Sequence, residues 1–211
     1  MNHSTETNRR RILSGVCLAL LAILFLTNPL TGVLMRGTAK TPPTIALLGF
    51  TAPLQMILFI GAIFGITQLL RKRADRTGLT GAAFALMGVA VGLRILALRQ
   101  LEAMLEFGVT GVPADTLQKM FTAAPIIWLS IVPSGLMLPI GLIILGSALF
   151  ITRPINRWIG ALLAAGGILF PVGRAVGVLW AISACDLVLG VAFGRIGWQV
   201  LTRRELWSEA T

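Results

Sequence analysis

The chain has 211 residues, 56% of them apolar and 12% charged, with a mean hydropathy of +0.87. Soluble domains sit near about 45–50% apolar and about 25% charged, so these values exclude a water-soluble globule, a disordered chain and a disulfide scaffold. What remains is a polytopic membrane protein. The net charge of +10, from 18 Lys and Arg against 8 Asp and Glu, would suggest nucleic acid in a soluble chain. Here the basic residues fall between long apolar runs, the pattern that orients helices in a bilayer, and no nucleic-acid partner is expected.

A helix needs about 20 apolar residues to cross about 30 Å of hydrocarbon. That rule predicts six spans, at 12–34, 45–70, 79–100, 122–151, 157–177 and 180–202. The expected fold class is an all-α, single-domain, six-transmembrane-helix bundle. The first span follows Arg9, Arg10 and Arg11 and resembles the start of a secretory signal. No small-residue cleavage site follows promptly, and the apolar run continues through Met35, which points to an uncleaved span. The fourth span carries Pro125, Pro133 and Pro139, so a kink or an interfacial start is expected there. Cys17 and Cys185 fall near opposite ends of their spans and read as small packing residues rather than a disulfide.

Loop charge sets the direction. With a cytoplasmic N-terminus, one side holds Arg9, Arg10, Arg11, Arg71, Lys72, Arg73, Arg76, Arg153, Arg157, Arg203 and Arg204, and the other holds only Arg36, Lys40, Arg99 and Lys119. This positive-inside bias predicts that both termini are cytoplasmic. Trp128 and Trp180 then fall towards the outer ends of spans, and Trp158, Trp198 and Trp207 towards the inner ends.

Shifted by 80 residues, positions 53–94 match 133–174 at Pro53/Pro133, Ile60/Ile140, Gly61/Gly141, Ile63/Ile143, Leu69/Leu149, Arg73/Arg153, Ala85/Ala165 and Arg94/Arg174. Apolar composition alone would give about half as many identities. The offset superposes two hairpins with matched arginines, as in transporter repeats that frame a site; coincidence between two apolar hairpins is the other reading. Gly61/Gly65, Gly88/Gly92, Gly173/Gly177 and Gly190/Gly194 each lie four apart. That spacing suits close helix contacts in a bundle or, alternatively, a transporter hinge.

The chemical inventory is poor. His3 is the only histidine, there is no tyrosine, and no lysine lies inside a span, which excludes histidine-based zinc hydrolysis and a Schiff base on a membrane lysine. No phosphate loop appears, and Ser14, Ser130, Ser134 and Ser147 lack a base partner in sequence. No metal or cofactor is expected. The charges that enter spans stand out because ionised groups at membrane depth are costly and are usually paired or functional. Arg94, Arg99, Glu102 and Glu106 lie along the third span and its helical extension, Arg174 closes the fifth, and Asp186 sits about two turns into the sixth. Arg99 and Glu102 are spaced for an ion pair, and Asp186 has Arg174 as its nearest basic neighbour. One reading is structural pairing or snorkelling. The other is a polar cluster of Arg94, Glu102, Arg174 and Asp186 that binds an anionic ligand or lipid headgroup. Residues 100–120 form the only sizeable loop, where Asp115 and Gln118 are spaced as a capping box. The loop reads as a plain connection or as a cover over an outward pocket.

The run LPIGLIILGSALFITRPINRWIG, Leu138 to Gly160, and more loosely GLRILALRQLEAML, Gly92 to Leu105, resemble a family of uncharacterised bacterial six-span membrane proteins. Asn156 stands where that pattern has proline before Arg157-Trp158, and Pro154 comes two positions early. The resemblance implies the fold and a bacterial inner-membrane location, and no reaction. The expected function is a non-enzymatic membrane protein that binds or moves a small amphipathic or anionic ligand. Its alternatives are an interaction or assembly subunit without a ligand, and a lipid-modifying enzyme with Glu102 or Asp186 as base.

Overall fold

Long apolar runs bounded by arginine-rich or proline-rich turns fold as helix in the computed structural model, which describes residues 3–37, 42–106, 135–176 and 178–203. Among these the side chains of 3–5, 7, 30–37, 42–50, 52, 94–106 and 175 lie outside the description. The described residues form α1 (His3–Gly37), α2 (Pro42–Leu70), α3 (Asp75–Glu106), α4 (Met137–Thr152), α5 (Arg157–Val176) and α6 (Leu179–Thr202), with no strand among them. Among the described residues four segments are long and apolar enough to cross a membrane: Asn8–Pro29, Pro53–Leu70, Asp75–Leu93 and Leu179–Thr202. The fourth predicted span, 122–151, is described only from Gly135. There α4 has 16 residues, or about 24 Å at the α-helical rise. Pro139 sits in its first turn, where a missing N–H costs no helical bond. Pro125, Pro133, Trp128, Trp207, Ser130, Ser134, Lys119 and the Asp115–Gln118 spacing lie outside the described residues.

The helices alternate in direction and pack in chain order, and α6 returns to α1, so the described helices close into a ring, with α2 also touching α4. Phe25 of α1, Phe59 of α2 and Phe193 of α6 are fully buried and meet with ring centroids 5.6–5.9 Å apart, two of the three pairs edge-on, the geometry that the ring quadrupoles favour. Large apolar side chains also cover the outside. On α1, Ile12, Leu13, Val16, Leu20, Ile23 and Leu26 are all exposed. An apolar exterior around an apolar core is unstable in water and suited to lipid, where helices are held by close packing rather than by hydrophobic burial.

Close packing is achieved where glycine removes the side chain. A Cβ on Gly88 would lie 2.2 Å from the backbone nitrogen of Leu138, and one on Gly141 would lie 2.4 Å from that of Ala85, so α3 and α4 touch backbone to backbone. Gly61 and Gly65 both face α1, at Cys17 and Ser14, and Gly190 and Gly194 both face α1 at Leu26 and Ala22. Gly88 and Gly92 are divided instead between α4 and α2, because Gly92 meets Met56. Gly177 lies outside the described residues.

Two arginines tie the turns at one end of the ring. Arg11, 5% exposed, donates to the Leu201 carbonyl at 3.0 Å and more loosely to that of Val200 at 3.5 Å, and its other nitrogen reaches Asn8 Oδ1 at 2.9 Å. Arg73 donates to the carbonyls of Thr152 and Arg153, both at 3.2 Å. Each places a cation on the C-terminal carbonyls of a neighbouring helix, where the dipole and the unpaired acceptors favour it.

Candidate functional site

The other end of the ring holds the polar cluster that the sequence singles out in part. Asp186 lies two turns into α6, on the face turned inward, and its side chain is 4% exposed. Arg174, in the last turn of α5, brings a guanidinium nitrogen to 3.7 Å from Asp186 Oδ1. Asn28 of α1 donates its amide to Asp186 Oδ2 at 3.3 Å. Three helices thus converge on one carboxylate. Asp186 Oδ1 has no hydrogen bond among the described residues, and the Arg174 guanidinium at 3.7 Å is the cation it faces.

Prolines adjoin two of these groups. Pro29 follows Asn28 inside α1, and Pro171 lies one turn before Arg174 inside α5. Neither can donate to the carbonyl four residues earlier, so both helices reach the cluster with a locally broken bond ladder. Cys185, beside Asp186, directs its thiol to the Gly166 carbonyl at 3.8 Å and joins α6 to α5. Cys17 and Cys185 are both free.

Arg174 is positioned without being enclosed. Its side chain is 41% exposed, and its guanidinium carbon lies 3.6 Å above the Phe170 ring centroid, a cation–π contact one turn back on the same helix. A guanidinium carries five N–H donors; one terminal nitrogen faces Asp186, the other donates loosely to the Phe170 carbonyl at 3.5 Å, and the remaining N–H groups lie on a side chain that is partly exposed. Leu169, Val172 and Val176 of α5 and Trp180 of α6 are exposed apolar residues nearby. A fixed guanidinium beside apolar surface can hold an anionic oxygen through paired hydrogen bonds while the rest of the molecule lies on the hydrocarbon face.

Of the four residues expected to cluster, Arg174 and Asp186 meet. Arg94 and Glu102 belong to α3 at the same end of the bundle, but α3 packs mainly on α2 and α4, and the side chains of Arg94, Arg99, Glu102 and Glu106 lie outside the described residues. Asn28 and Phe170 escaped the sequence reading. An asparagine inside an apolar run was the available signal for the first, and the i,i+4 spacing to Arg174 for the second. No group of three His, Cys, Asp or Glu side chains that could hold a metal forms among the described residues. The chain matches no protein-family model, no curated protein and no solved structure.

Proposed function

We propose that the chain is a six-span, non-enzymatic protein of a bacterial inner membrane, with both termini cytoplasmic, that binds or moves a small amphipathic anion at Arg174. The observation that carries this reading is the ion pair between a buried Asp186 and a half-exposed Arg174. The carboxylate fixes the cation in place, and the exposed part of the guanidinium is left for a ligand. Arg94 and Glu102 join the site in this reading as further charges of the same end. The apolar exterior of the helices supports the membrane location, and the positive-inside bias of the turns supports the orientation.

A specific observation favours a second reading. The same three groups, Asn28, Arg174 and Asp186, join α1, α5 and α6, which is what an assembly subunit without a ligand would need to hold its ring closed. Decyl phosphate separates the two readings. Added to the protein in an uncharged detergent, it raises the melting temperature of the wild type, and Arg174→Gln removes that shift while decyl maltoside gives none. An equal shift in both proteins, together with a lower melting temperature of Arg174→Gln without ligand, makes the cluster structural.

A further inference from the structure

At the opposite end of the ring, Arg73 bridges the α2–α3 turn to the end of α4 through the carbonyls of Thr152 and Arg153. That bridge joins the turn that carries Arg71, Lys72 and Arg76 to the one that carries Arg153 and Arg157, with Asp75 the single carboxylate in 71–76 and 152–157. All five cations are exposed, and among the described residues none of the five makes an ion pair. Five like charges on two joined turns repel one another unless an anion joins them.

Two features point to the chemistry of that anion. Ile151 and Trp158, 73% and 64% exposed, flank Arg153 and Arg157 along the chain, and the Arg157 guanidinium lies 5.5 Å from the Trp158 ring centroid. The charges therefore adjoin an exposed apolar strip, with tryptophan at the boundary as at a headgroup level. Secondly, Arg153 has φ 52° and ψ 43°, the only left-handed non-glycine residue among the described ones. Its N–H closes the end of α4 on the Leu149 carbonyl. Glycine takes this helix-ending position without steric cost, and an arginine here carries strain that its backbone role does not require.

We propose that the paired α2–α3 and α4–α5 turns bind the headgroup of a phospholipid with two phosphodiester groups, its acyl chains lying along Ile151 and Trp158. Two phosphates match cations distributed over two turns, whereas a single phosphate would leave most of them unneutralised. The site is distant from Arg174 and independent of the ligand proposed there.

Native mass spectrometry of the protein in neutral detergent tests the proposal, with cardiolipin, phosphatidylglycerol and phosphatidylcholine added separately. Cardiolipin is retained more tightly than phosphatidylglycerol, and phosphatidylcholine least. Arg153→Gly and Arg157→Gln each weaken cardiolipin binding by about five-fold, as expected for one cation near a lipid phosphate. Arg203→Gln, which removes a charge of the same end from the α6 side, changes it by less than about two-fold. The melting temperature of Arg153→Gly is unchanged or raised, since glycine relieves the backbone. Wild-type cardiolipin affinity in Arg153→Gly overturns the proposal. So does an equal loss in Arg203→Gln, which would mean diffuse charge, or displacement of cardiolipin by inorganic phosphate.

Discussion

The seam between α3 and α4 gives the sharpest packing prediction. In Gly88→Ala the new methyl carbon would sit 2.2 Å from the Leu138 nitrogen and 2.5 Å from its Cα, against the 3.4 Å or more of ordinary contact. Both atoms are backbone, so no side chain can turn aside, and α4 must withdraw by about 1 Å. A gap of that size forfeits about a quarter to a half of the dispersion energy of the atoms along it, and in lipid no hydrophobic term restores the loss. Overpacking costs about 1–3 kcal/mol, partly offset by the higher helix propensity of alanine, worth up to about 1 kcal/mol. The net expectation is a loss of about 2 kcal/mol, measured by SDS denaturation in mixed micelles. Gly194→Ala is the reference, because its Cβ would meet only the Ala22 Cβ, at 3.4 Å, and it should be neutral or slightly stabilising. Adding Gly141→Ala to Gly88→Ala should cost less than the sum of the single changes, since one withdrawal of α4 relieves both clashes. Equal stabilities for the Gly88 and Gly194 variants would refute backbone contact as the basis of the seam.

The ion pair should respond asymmetrically. Arg174→Leu leaves the buried Asp186 with Asn28 alone and should destabilise by about 3 kcal/mol, whereas Asp186→Leu leaves a half-exposed arginine that can extend to the interface and should cost about 1 kcal/mol or less by the same denaturation assay. Arg11→Leu removes charge-assisted bonds to the end of α6 and should cost about 1–3 kcal/mol. Arg10→Leu, whose pair with Glu6 is exposed, should change stability by less than about 1 kcal/mol. Alkaline phosphatase fused after Val178 should be active in the bacterial periplasm and inactive when fused after Arg203; the reverse would invert the orientation.

Much of the fold was legible because hydrocarbon thickness dictates helix length. The apolar runs located all six described helices, and α3 continues to Glu106 as its charge spacing suggested, so 100–106, also read as the start of the 100–120 loop, are helical. Ring closure was not legible. One of the contacts that close it is made by Arg11, which reads in sequence as one of three loop arginines and folds back under α6, 190 residues away. The same limit hid Asn28. Its partner Asp186 lies 158 residues on, and a neutral amide leaves no charge pattern to match. Arg174 and Asp186 were legible because they are close in sequence and opposite in charge. The offset of 80 that aligned Arg73 with Arg153 found residues that do meet, through the Arg73 guanidinium and the Arg153 carbonyl rather than as equivalent positions.

In the function proposed above, Arg174 is held ready for an anion. A structure of the protein extracted in its native lipid, without detergent, tests it most directly. The expected result is density for an anionic group against the exposed part of the Arg174 guanidinium, with Asp186 retained behind it. An unliganded Arg174 in that preparation, or one extended to the interface and parted from Asp186, would contradict it.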